Sequence, residues 1–455
     1  MINNVAGGMN QMQLKRLDFQ VRVRQSRQKN LGYGIAKSKL YENADSSFWS
    51  VCVFLLAALS FFWFNYIGQV LISDIMVILA LPVTIVWGRH VGVSWSRESK
   101  WVLGLGLIWL LSQMLTDWVR RSPFDDYARE WAKITLTLVY FIVLYIICYK
   151  NRKRLTIAAL GIACGDILGY ILEPNVFASG YPWKFGVALG VTILAVLLAC
   201  SLAKCWRSFL WFQVGIMITI GLINLYFGYR SMGGVCLVSA ILLSSRKKMF
   251  NAWMRILVIG IAIGVIYFLY MHFVNMGYFG RAEKVEYDAQ ASGKYGVLLG
   301  GRSAVLAAIQ AITASPVIGH GSWAHNYKYV LSMNATLSAL GYQKQGGNIQ
   351  SALIPAHSYL LGAWVHAGIM GAIFWAYVLV CVMRALGRPI TISEPLRPLV
   401  YFVAVYLIWN IFFSPYGANT RLLAVFSMVL ILSCLPSESK ERSSPRAFLH
   451  RYNFI

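Results

Sequence analysis

Twelve stretches of this chain are apolar enough to lie in a lipid bilayer as helix, where a full crossing takes about 20 residues. No other feature limits the possible folds as strongly. Hydrocarbon offers no water to a free N–H or C=O, so a spanning segment must satisfy its own backbone, and a helix does so. The stretches are Trp49–Tyr66, Gly68–Trp87, Trp101–Trp118, Trp131–Tyr149, Leu155–Leu172, Lys184–Leu202, Phe209–Phe227, Ser231–Ser244, Ile256–Phe273, Ser358–Met383, Leu399–Ser414 and Leu422–Leu435. Only 13% of residues are charged and 58% are hydrophobic, whereas a soluble domain holds about 25% charged residues. The sequence therefore predicts an all-α, polytopic membrane protein of about 12 transmembrane helices. Trp101, Trp118, Trp131 and Tyr149 mark span ends, as interfacial aromatic belts do.

Lys and Arg are retained on the inner side of a membrane. With both termini inside, the inner segments hold 28 of the 41 basic residues and the outer ones 13. The loops Lys150–Arg154 and Arg246–Lys248 anchor this orientation. The layout divides the chain into a basic inner tail (1–48), an integral membrane domain (49–435) and a second inner tail (436–455). The net charge of +24 is then mainly a topology signal. It argues for contact of the tail with anionic membrane lipids rather than nucleic acid. No apolar core of signal-peptide type precedes the first span, so no cleaved presequence is expected. The eight cysteines form no Cys-x-x-Cys or Cys/His cluster, which argues against a metal site or a disulfide framework.

Between the ninth and tenth spans lies the only long polar insert, 274–356, which the charge rule puts outside. Gly300-Gly301-Arg302 is followed by a helix pattern over Ser303–Ile312 that stops at Ser315-Pro316, and Gly319-His320-Gly321 reads as a turn. Asn334–Pro355 reads as a loop, a candidate lid over an outer cavity. The insert closes on Pro355-Ala356-His357-Ser358-Tyr359, which puts His357 in the first turn of the next span.

Three residues invite chemistry. Arg230 joins two spans with almost no loop between them, a costly depth for a charge. A diphosphate would suit its planar fork of donors, and so would lipid headgroups; Arg230 alone leaves both readings open. Arg302 opens the insert helix, where backbone N–H groups already favour an anion, although a solvated surface arginine is the commoner case. His357 titrates near neutrality and can serve as general base or merely cap a helix. His320 and His325 form a second tier, and His366 reads as a packed polar residue. Carboxylates on the outer side (Asp117, Asp125, Asp126, Glu130, Glu173, Glu283, Glu286, Asp288) include no Asp-x-Asp pair, so a metal-dependent nucleotide-sugar site is unsupported. Asp74 and Asp166 fall inside spans, either as proton relays or as hydrogen-bonded members of the bundle, and the second is the default expectation.

In order and spacing, Tyr229-Arg-Ser-Met-Gly-Gly234, Gly301-Arg302, Ser315-Pro-Val-Ile-Gly-His-Gly321 and His357-Ser-Tyr-Leu-Leu-Gly362 with Gly368 and Gly371 resemble the O-antigen ligase and polymerase superfamily. The likeness covers roughly residues 210–385. It implies a GT-C-like glycosyltransferase of the bacterial inner membrane, with its active site on the periplasmic face. Such an enzyme takes a glycan from undecaprenyl diphosphate and passes it to an acceptor glycan, lipid A core or growing polysaccharide, with no cofactor or metal. The resemblance assigns the diphosphate to Arg230 and Arg302 and the general base to His357. Protein O-oligosaccharyl transfer within the same superfamily, or transport of lipid-linked sugars, are the alternatives.

Overall fold

The computed structural model describes residues 47–174, 176–205, 210–245, 264, 268, 270–278, 280–342, 352–387 and 394–435. The expected tails 1–48 and 436–455, the span Ile256–Phe273 and much of the expected lid fall wholly or largely outside the described residues.

The helices in chain order are α1 (Ser47–Ala58), α2 (Ile72–Val91), α3 (Arg97–Arg120), α4 (Phe124–Cys148), α5 (Arg152–Leu172), α6 (Ala188–Cys205), α7 (Leu210–Tyr226) and α8 (Arg230–Ser244). Then come α9 (Arg281–Ala291), α10 (Ala304–Ala314), α11 (Tyr327–Ala339), α12 (Tyr359–Ala367), α13 (Ile369–Gly387), α14 (Arg397–Phe413) and α15 (Ala418–Cys434). Among the described residues, six helical stretches are long and apolar enough to cross a membrane: α2, α3, α4, α5, the run Trp183–Leu202 containing most of α6, and α13. The protein is thus all-α in its main architecture and membrane-embedded. α1, α7, α8, α14 and α15 lie where spans were expected but run 12 to 17 residues. That is about 18–26 Å of helix against a hydrocarbon layer of about 30 Å.

Local chemistry sets several helix ends. Ser96, Asn151 and Ser358 cap α3, α5 and α12 by accepting from Ser99 N, Arg154 N and Leu361 N at 3.0–3.1 Å. α4 starts earlier than hydropathy suggests, at Phe124 after Pro123, because Asp125 and Asp126 in its first turn complement the helix dipole. Glu130 is therefore buried within a helix rather than on an outer loop. The first expected span is also shorter. Past Phe61 the chain pairs Trp63–Asn65 with Gln69–Leu71 as an antiparallel hairpin, since Trp, Phe and Val suit a strand.

The tenth expected span, Ser358–Met383, is not one helix. It breaks at Gly368, whose φ of 71° and ψ of −163° fall in a region essentially restricted to glycine. A Cβ there would also run into the Val317 carbonyl. The break frees the last carbonyls of α12, and neighbours satisfy them: His320 N donates to Val365 O at 2.8 Å, Gly321 N to His366 O at 3.1 Å and Ser112 Oγ to Ala367 O at 2.8 Å. Gly368→Ala is expected to cost about 1–3 kcal/mol from backbone strain alone, read as a lower unfolding temperature in detergent. An unchanged temperature would mean that the chain relaxes around the break.

Polar pairs tie the bundle together, as they do where hydrocarbon cannot reward helix contact. Asp74 meets Arg421 at 2.6 Å, both buried, and also accepts from Leu71 N at 2.9 Å. Asp166 accepts from Gly190 N at 2.7 Å, joining α5 to α6. Both aspartates are hydrogen-bonded members of the bundle, the default sequence expectation. The 280–342 segment packs its own small core: Ala307, Ala308 and Ala311 of α10 meet Val330 and Met333 of α11, and Val365 of α12 closes it. Asn334–Ala339, expected as loop, instead completes α11, because Leu337 joins that core and the helix runs on until Gly341 turns the chain at φ 83°.

Candidate functional site

The hairpin of α7 and α8 puts Arg230 at the very start of α8. Gly228 turns the chain at φ 74°, and Gly233 lets α8 press on Leu225 and the Gly221 carbonyl of α7 more closely than a side chain would permit. The Arg230 guanidinium stacks on Tyr270, 5.0 Å from the ring centroid, and donates to Gln290 Oε1 at 3.1 Å. Gln290 lies on α9, which a small apolar cluster of Tyr270, Val274 and Tyr287 helps to dock. The Gln290 backbone in turn packs so tightly on Gly300 that no side chain fits there, while Gly301 abuts its amide. Arg302 is the next residue, so Gln290 links the supports of the two arginines.

The second half of the site gathers at the C-terminus of α14, whose last carbonyls lack helical partners and carry partial negative charge. Arg302 Nη1 donates to Phe413 O at 2.9 Å, and the guanidinium lies over the Trp409 and Phe413 rings at 5.0 and 5.1 Å. Ser358 Oγ, one residue after His357, donates to Ile411 O at 2.7 Å. Both segments are thus bolted to one helix end. No carboxylate pairs with Arg302 among the described residues, and the rest of its donor fork has no acceptor among them. Burial pulls the Arg302 pKa down, yet an arginine so shifted still carries its charge near neutrality.

His357 precedes the Ser358 cap, so it stands just outside the helix and not in its first turn as expected. The residue is exposed. Partial burial of the ring and, second, the positive charge of Arg302 hold the imidazole below its ordinary pKa. It is therefore neutral and able to accept a proton at pH 7. The approach to His357 is fixed by short pairing of 352–354 with 324–326, with Asn326 N on Ala352 O at 2.7 Å and Ile354 N on Ala324 O at 3.0 Å.

The Ser315–Trp323 loop is held by the end of α3. Buried Asp117 accepts from Ser322 N (2.6 Å), Ser322 Oγ (2.7 Å), Ser122 Oγ (2.7 Å), Trp131 Nε1 (2.8 Å) and Gln113 Nε2 (3.1 Å). Arg120 adds bonds to Gly319 O and Ser315 Oγ at 3.0 and 2.7 Å. Gly319 and Gly321 have positive φ values, 84° and 92°, but the turns fall on either side of the expected Gly319-His320-Gly321, at 316–318 and 322–323, because His320 N and Gly321 N bond to the end of α12.

The structure thus ties Arg302 and the segment bearing His357 to the same end of α14, where the Arg302 charge bears on the imidazole, and links Arg230 to the support of Arg302 through Gln290. His320 and His325 make contacts within the insert and in its docking on α12. His320 Nε2 sits 2.8 Å from Ala311 O with its ring edge-on to Tyr329, and burial is the main cause of its lowered pKa. His325 bridges to Leu353 through its backbone. Both organise the insert. His366 is a packed polar residue, its Nδ1 3.3 Å from Glu130 Oε1, which Lys133 also contacts at 2.5 Å. Sequence reasoning missed Gln290, the Phe413 carbonyl and Trp409; it had only the i,i+3 spacing of Glu130 and Lys133 as a cue to the buried ionic cluster. Among the described residues no three His, Cys, Asp or Glu side chains gather as metal ligands. Chemically, the arrangement offers two guanidinium groups for an anionic oxygen and a neutral imidazole beside one of them. Compared with known family models, curated proteins and solved structures, the chain matches none.

Proposed function

We propose that the chain is a bacterial inner-membrane glycan transferase of the O-antigen ligase and polymerase type. It spans the membrane about 12 times, keeps both termini in the cytoplasm and presents Arg230, Arg302 and His357 at the periplasmic face. The observation that carries this reading is the fastening of Arg302 and of the segment bearing His357 to one helix end, Arg302 Nη1 on Phe413 O and Ser358 Oγ on Ile411 O, with no carboxylate pairing Arg302 among the described residues. Arg230 and Arg302 bind the diphosphate of an undecaprenyl-linked glycan. An acceptor sugar hydroxyl attacks the anomeric carbon, its proton passes to His357, and the bond from that carbon to the phosphate oxygen breaks. Undecaprenyl diphosphate leaves with the electron pair. Direct attack inverts the anomeric centre, and fixed positive charge stabilises the charge that grows on the leaving diphosphate.

In this scheme the arginines do what a divalent cation does elsewhere. Transfer is expected to continue unchanged in excess EDTA, measured with purified protein and lipid-linked donor; loss of activity that Mg²⁺ or Mn²⁺ restores would contradict it. Acceptor identity separates a ligase, a polymerase and a protein O-oligosaccharyltransferase, and the product of the same assay (glycan on lipid A core, on glycan or on protein) reads it out.

A second reading, a flippase for lipid-linked sugars, draws support from the broken helix at Gly368, since transporters build substrate sites from discontinuous helices. Against it, the carbonyls freed at the break are already bonded to His320 N, Gly321 N and Ser112 Oγ. Counterflow of labelled donor in proteoliposomes with no new glycosidic bond would favour the flippase.

A further inference from the structure

Nothing in the sequence pattern singles out Gln290, yet it is the residue on which the two halves of the site meet. It accepts from Arg230 Nη1 at 3.1 Å, its backbone is packed against Gly300, and its amide abuts Gly301, directly before Arg302. Arg230 is thereby fixed on two sides, by the Tyr270 ring and by the carboxamide. A long, rotamer-rich arginine loses less freedom on binding an anion when it is already held in place.

We propose that Gln290 is a positioning residue that aims Arg230 at the diphosphate and sets its spacing from Arg302. The inference rests on the diphosphate reading above. The choice of amide over carboxylate is part of it. An acceptor is needed to orient the guanidinium, but a glutamate of the same shape would add a negative charge where a diphosphate must sit, and like charges close together repel. Gln290 supplies the acceptor without that charge.

The test uses the full-length protein in nanodiscs, with undecaprenyl diphosphate as the probe, and compares wild type with Arg230→Ala, Gln290→Ala and Gln290→Glu. Wild type is expected to bind and Arg230→Ala to lose most of that affinity. Gln290→Ala is expected to weaken binding about ten-fold, the scale of one hydrogen bond to a charged group. Gln290→Glu, which keeps the shape and the acceptor, is expected to weaken it further and to show a different salt dependence. The unfolding temperature of Gln290→Glu should match that of wild type, which separates positioning from a structural role. Binding by Gln290→Glu equal to wild type, or losses that simply follow lowered unfolding temperatures, would overturn this inference while Arg230→Ala still supported the diphosphate reading. Failure of wild type to bind, or full binding by Arg230→Ala, would overturn the diphosphate reading itself.

Discussion

Replacing His357 with alanine is expected to lower glycan transfer by about 10²–10⁴-fold, the usual contribution of a positioned general base, while leaving donor binding intact. Geometry favours this role before titration does. His357 stands outside the α12 cap and is exposed, so an acceptor can reach it, and the neighbouring Ser358 fixes its backbone on the end of α14 through Ile411 O. Burial and the Arg302 charge both favour the neutral ring, the form that accepts a proton. Steady-state rates with purified protein, together with separately measured donor affinity, test this. A His357→Ala protein of full activity would remove the general base from the mechanism.

Arg302→Ala is expected to cost about 10²–10³-fold in kcat, comparable to removing one preorganised charge-stabilising donor. It should also move the pH profile. Arg302 pushes the His357 pKa down, so its removal lets that pKa rise. The neutral base then forms only at higher pH, and the acidic limb of kcat/KM shifts upward. Arg302→Lys keeps the charge but not the planar fork; its acidic limb should stay near that of wild type while its rate falls. A profile unmoved in Arg302→Ala would show that the two residues do not sense each other.

Hydropathy and charge made the helical, membrane-embedded architecture legible, because burying a backbone in lipid leaves few alternatives to helix. The same signal could not locate the break at Gly368. Apolar residues dominate Tyr359–Gly387 on both sides of Gly368, and hydropathy reports what surrounds a segment, not which dihedrals it adopts. The break depends on a loop some fifty residues earlier, Val317–Gly321, whose N–H groups replace the missing helical bonds. Likewise the resemblance put Arg302 and His357 in one site, but the residues themselves did not show what fastens their segments together. That fastening is the unpaired carbonyl end of α14, more than a hundred residues beyond Arg302, and carbonyls are the same in every residue. Gln290 was invisible for a related cause: one amide on a polar helix has no pattern, and its meaning comes only from Arg230, which lies sixty residues before it.

Arg230, Arg302 and His357 are proposed to transfer a glycan from a lipid diphosphate. The most direct measurement is to supply purified protein in proteoliposomes with an undecaprenyl-diphosphate-linked glycan and an acceptor, and to assay both products. The expected result is a new glycosidic bond of inverted configuration, with undecaprenyl diphosphate released in equal amount. Intact donor moved across the bilayer with no bond formed would contradict it.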